Sequence, residues 1–142
     1  MERLRRWLPV LGWALVIWTF STEWFSGERT AQIIVPLLAA VLPESSPAKL
    51  RAMHDVLRKL AHFIEYLILS VLLYRGLRGD RRWNLRAAGI AFMIAGLYAV
   101  SDEFHQWFVP GRTAAATDCL IDVSGAVAGQ GLVAARARSP RG

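Results

Sequence analysis

Eleven side chains able to bind ligands or move protons fall in four short segments of this sequence. They are Lys59, His62, Glu65 and Tyr66, then Asp102, Glu103, His105 and Gln106, then Arg112, then Asp118 and Asp122. Such a set opens three kinds of chemistry. Lys59, His62 and Arg112 would hold a phosphate or carboxylate, arginine through paired N–H donors and lysine as a point charge. His62, Asp102, Glu103, Asp118 and Asp122 would offer ligands to a divalent cation as cofactor, because carboxylates four residues apart on a helix can share one ion. His62, Glu65, Asp102 and Glu103 are the candidate catalytic acids and bases, with His62 as base and Glu65 or Asp102 orienting its ring. No HExxH, GxSxG or phosphate-loop pattern accompanies them, so no motif names a reaction. The single cysteine, Cys119, excludes an internal disulfide and a cysteine zinc cluster.

Spacing says which elements must carry these groups. Lys59, His62 and Tyr66 recur at i, i+3 and i+7 and share one helical face, from which Glu65 is displaced. Asp102 and Gln106 stand four apart, as do Asp118 and Asp122, whose stripe continues as Gly125 and Gly129. Small residues four apart let helix backbones approach closely, which sets that stripe against another helix. Residues 7–24, 58–76, 86–104 and 114–135 read as four membrane spans. Residues 30–42, too short to span and containing Pro36, read as a re-entrant or interfacial helix between spans one and two. The expectation is an all-α, polytopic membrane protein whose 142 residues form one four-helix bundle domain. Its 54% hydrophobic content and mean hydropathy of +0.32 agree. A soluble bundle would show a polar residue in every turn, and the first and third blocks do not.

Arginine placement orients the chain. Eleven of the seventeen basic residues lie before the first block, between the second and third, or after the fourth, which leaves that side at +9 and the remainder at −3. The positive-inside rule then puts both termini in the cytoplasm. No small-x-small cleavage site follows the first block, so it reads as an uncleaved anchor rather than a signal peptide. These arginines flank spans as short clusters, which suits lipid headgroups and topology and gives no nucleic-acid partner. At 1.5 Å per residue, Glu65 lies roughly 15 Å from Arg75, near the bilayer midplane, and Asp102 and Asp122 lie in the outer half. Buried ionisable groups at such depths face one another or a wet cavity. A cleft opening to the outer leaflet follows, with Glu103 and His105 at its solvated rim. The cytoplasmic halves show no matching polar groups, so transport is the least supported activity.

The same residues carry a family resemblance. Lys59-x-x-His62-x-x-x-Tyr66, Ser101-Asp102-Glu103-x-x-Gln106, Pro110-Gly111-Arg112 and Asp118-x-x-x-Asp122-x-x-Gly125-x-x-x-Gly129 together resemble the VanZ-like family, as does Phe20-Ser21 closing the first block. Asp122 departs from the pattern, because the family often has Asn there. The resemblance implies a small bacterial integral membrane protein of a family associated with resistance to the lipoglycopeptide teicoplanin. Three readings of the polar set remain open. It binds an anionic or amphipathic envelope lipid, lipid-linked wall precursor or lipoglycopeptide through Lys59, His62, Tyr66, Asp102, Glu103, Gln106, Arg112, Asp118 and Asp122. Alternatively it is a hydrolase or transferase acting on a lipid phosphate, with or without a metal. The third reading is a purely structural hydrogen-bond network.

Overall fold

Capping chemistry sets several helix boundaries. The computed structural model describes residues 2–78, 84–111 and 116–138. Five α-helices occupy most of this length: α1 (Glu2–Phe20), α2 (Gly27–Val41), α3 (Pro47–Arg78), α4 (Leu85–Gln106) and α5 (Ala116–Arg138). Ser26 caps α2 by accepting from the Arg29 backbone N–H, and Asn84 caps α4 by accepting from that of Ala87 at 3.1 Å. Pro47 opens α3, where its missing N–H costs nothing. A short 3₁₀ turn, Glu23–Phe25, joins α1 to α2. No strand occurs among the described residues.

The all-α expectation holds, with two boundaries moved. The first apolar helix stops at Phe20 rather than near residue 24, because the chain turns through Ser21 and Thr22 into the 3₁₀ turn. α3 starts at Pro47, eleven residues before the expected span, and its charged first third is helical too. By length and composition α4 and α5 can each cross a membrane. α1 and α3 spend part of their length on charged residues instead.

α3 is the hub and touches α1, α2, α4 and α5, most extensively α5. Trp7 of α1 packs beside Gly76, and Trp13 Nε1 donates to the Glu65 carbonyl at 2.9 Å, so α1 and α3 run antiparallel. Tyr98 donates to the Ala14 carbonyl at 2.8 Å and Asp102 meets Ser21, so α1 and α4 run in parallel. α5 lies alongside α3 in the same direction. A Cβ on Gly125 would collide with the Phe63 carbonyl oxygen, and one on Gly129 would stand 2.6 Å from that of Leu67. Two glycines therefore bring the α3 and α5 backbones together. Ser70 at this seam donates to the Ala126 carbonyl at 2.9 Å, and Gln130 donates to the Ser70 hydroxyl at 2.7 Å.

This topology gathers Arg5, Arg6, Arg75, Arg78, Arg86, Arg136 and Arg138 at one end of the bundle. The opposite end carries Ser21, Asp102 and Gln106, with exposed Trp24 and Trp107. Between the ends the outer faces are apolar. Leu4, Leu8, Leu11 and Leu15 on α1, and Met93, Leu97, Val100 and Phe104 on α4, are exposed stripes at helical spacing. Inside lie Ala87, Ala91, Ala95 and Ala99, aromatic rings and polar groups. Large apolar side chains outside with alanine and carboxylates inside reverse the order that water imposes.

Candidate functional site

α3 presents its interior face every fourth residue: His54, Arg58, His62, Tyr66, Ser70 and Tyr74. His54, Tyr66, Ser70 and Tyr74 are buried, whereas Arg58 and His62 are half-buried. Where α3 passes the end of α1 and the start of α2, this face borders a half-open cleft of about 200 Å³. Phe20, Ser21, Phe25, Thr30, Arg58, Ala61, His62 and Glu65 line it. The Arg58 guanidinium rests on Gly27, where any Cβ would strike it, so glycine makes room at the first turn of α2. Arg58 makes no hydrogen bond or ion pair with any described residue. The positive end of α2 lies beside it, and both favour an anion.

Two hydrogen-bonded links lead from the cleft into the bundle. Ser21 donates to Asp102 Oδ1 at 2.5 Å, and Gln106 Nε2 donates to Asp102 Oδ2 at 2.9 Å, so both oxygens of this buried carboxylate are held. His62 Nδ1 lies 3.2 Å from Asp122 Oδ1. Asp122 is 0% exposed, and its Oδ2 has no partner among the described residues. The Tyr66 hydroxyl, equally buried, has none either. Asp102 and Asp122 both lie within electrostatic reach of that hydroxyl, and Asp118 and Glu65 within reach of His62.

The family profile of VanZ/LLP1 matches residues 7–136, nearly the whole chain. The protein belongs to the VanZ/LLP1 family. No curated protein and no solved structure gives a significant match. Family membership, two long apolar helices and apolar outer faces make it a membrane protein.

Several expected site residues of this VanZ/LLP1 protein lie together: His62 with Asp122, Asp102 with Gln106, and Tyr66 among them. Glu65 lines the cleft, and Asp118 is half-buried. Glu103, expected at a solvated rim, is buried instead, and His105 stacks on Trp18 with ring centroids 4.1 Å apart. Lys59, expected on the binding face, is exposed and absent from the cleft lining. His62 and Tyr66 of the i, i+3, i+7 pattern do lie on the interior face, but Lys59 falls one residue past the position on it that Arg58 occupies. Arg112 lies outside the described residues. Among those described, no three His, Cys, Asp or Glu side chains converge to hold one metal ion. Sequence reasoning missed Arg58, Ser21, Thr30 and His54, which Thr30 Oγ1 meets at 3.0 Å. The four-residue recurrence of polar groups from His54 to Tyr74 was the signal available. It also carries Ser70 and Tyr74 into the arginine-end half, which the sequence reading left without polar groups.

Proposed function

We propose that this VanZ/LLP1-family protein crosses the bacterial cell membrane four times, with both termini cytoplasmic. Its cleft then faces the extracytoplasmic side and holds the anionic headgroup of an amphipathic envelope molecule. α1, the second half of α3, α4 and α5 are the spans, and α2 lies at the outer interface. The observation that carries this reading is Arg58, a half-buried guanidinium without a hydrogen-bond or ion-pair partner among the described residues, in a cleft edged by Phe20 and Phe25. A cation partly withdrawn from water needs a counter-charge, and the aromatic edge suits the acyl region of a lipid. Capture of a lipid-linked wall precursor or of a lipoglycopeptide would connect this site to teicoplanin-type resistance.

Native mass spectrometry of the protein extracted from bacterial membranes tests the binding. Wild type is expected to retain an anionic lipid, and Arg58→Gln to lose about tenfold or more of that occupancy, as expected for a lost hydrogen bond to a charged group. Lys49→Gln, an exposed change on α3 away from the cleft lining, serves as control. Equal occupancy in Arg58→Gln and wild type would overturn the reading.

A further inference from the structure

We propose that the cleft hydrolyses a phosphate anhydride at the head of a lipid, with His62 as general base and Asp122 as the residue that positions it. This rests on the headgroup reading above. His62 Nδ1 faces Asp122 Oδ1 at 3.2 Å, and a carboxylate only accepts, so in the neutral ring the proton sits on Nδ1 and the lone pair on Nε2. His62 lines the cleft, and with Nδ1 turned inward, Nε2 is the nitrogen left to face it. Asp122 is itself firmly placed. Three residues further along α5, Gly125 abuts the Phe63 backbone, next to His62 on α3. Arg58 lines the same cleft one helical turn before His62 and would grip the phosphate oxygens. Ser21, the one serine among the described lining residues, is 2% exposed and held against Asp102, so water is assigned as the nucleophile.

In the reaction, a water oxygen bonds the terminal phosphorus of a lipid diphosphate while His62 Nε2 takes one of its protons. The bridging P–O bond breaks, and its electron pair leaves on the lipid monophosphate. The imidazolium then returns the proton to that product or to bulk water, which closes the cycle with one inorganic phosphate released. An anhydride suits this site because phosphate leaves without needing a proton donor, and a base is what the geometry supplies. The cleft of about 200 Å³ is smaller than the roughly 300–1,000 Å³ of drug-sized pockets, a scale that fits a headgroup with the chain left in lipid.

The test uses the full chain in lipid nanodiscs, farnesyl diphosphate as probe, and released phosphate as readout. Wild type and Lys49→Gln are expected to turn over alike. His62→Ala is expected to fall about a hundredfold or more, to keep its bound lipid, and to regain part of the rate with added imidazole. His62→Gln, which keeps a polar group facing Asp122, is expected to be equally slow and checks that the loss is not misfolding. Asp122→Ala is expected to lower kcat with KM unchanged. Phosphate release by wild type no faster than by the two His62 variants overturns the proposal. If lipid retention still depends on Arg58 in that case, only the hydrolytic assignment falls; if retention is lost too, the headgroup reading falls with it.

Discussion

Asp102 and Asp122 are both buried carboxylates, yet the chain satisfies them differently. Asp102 accepts from Ser21 on one oxygen and Gln106 on the other, so it ties α1 to α4 with no lone oxygen left over. Asp122 has only His62 on one oxygen, and its second oxygen has no partner among the described residues. A buried charge is costly unless fully hydrogen-bonded, so the two positions respond in opposite ways to substitution. Ser21→Ala leaves Asp102 half-satisfied and is expected to destabilise the protein by about 1–3 kcal/mol, the range for orphaning a buried polar group. Asp122→Asn keeps an oxygen facing His62 Nδ1 and removes the buried charge, so its unfolding midpoint is expected to match or exceed wild type. Thermal unfolding in one detergent, read for both variants, checks the contrast. A larger loss in Asp122→Asn than in Ser21→Ala would reverse the assignment of which carboxylate is structural.

The α3–α5 seam sets the geometry of everything described above, because His62 and Asp122 meet across it. Gly125→Ala would drive a methyl group into the Phe63 carbonyl oxygen, and neither backbone can yield without parting the helices. A loss of about 1–3 kcal/mol is expected, as for overpacking elsewhere, together with loss of the His62–Asp122 contact. Gly131→Ala on the same helix meets open space and is expected to be neutral or to stabilise by up to about 1 kcal/mol through helix propensity. Paired melts of the two variants decide the matter, and equal behaviour would show that the close approach is not needed. The Gly125/Gly129 spacing was readable in the sequence because close helix contact demands small residues at that period. The helices themselves were readable from their apolar blocks. The start of α3 was not, because Lys49, Arg51, Asp55, Arg58 and Lys59 look like a loop to any test that asks for a continuous apolar span. The burial of Ser21 and Glu103 was hidden for a related reason: it comes from helices distant in sequence, and spacing within one helix carries no trace of it.

For the whole molecule, the gathering of arginines at one end and of the cleft at the other ties function to orientation. A cleft on the cytoplasmic side would never meet a wall precursor or an antibiotic outside the cell, so headgroup capture from the envelope requires the arginine end to face inward. The positive-inside bias favours that direction, since the flanking arginines lie within a few residues of helix ends, where they act most strongly. Exposed Trp24 and Trp107 at the cleft end of the bundle would suit the outer interface, where the amphipathic indole is most stable. Cys119 is the single thiol, so a Cys119→Ala background gives a clean labelling experiment. In that background Lys49→Cys, at the start of α3 and hence at the cleft end, is expected to react with a membrane-impermeant maleimide on intact cells. Arg138→Cys, at the end of α5, is expected to react only after the membrane is opened. Labelling of Arg138→Cys but not Lys49→Cys on intact cells would invert the protein, and the cleft would then serve a ligand of the inner leaflet.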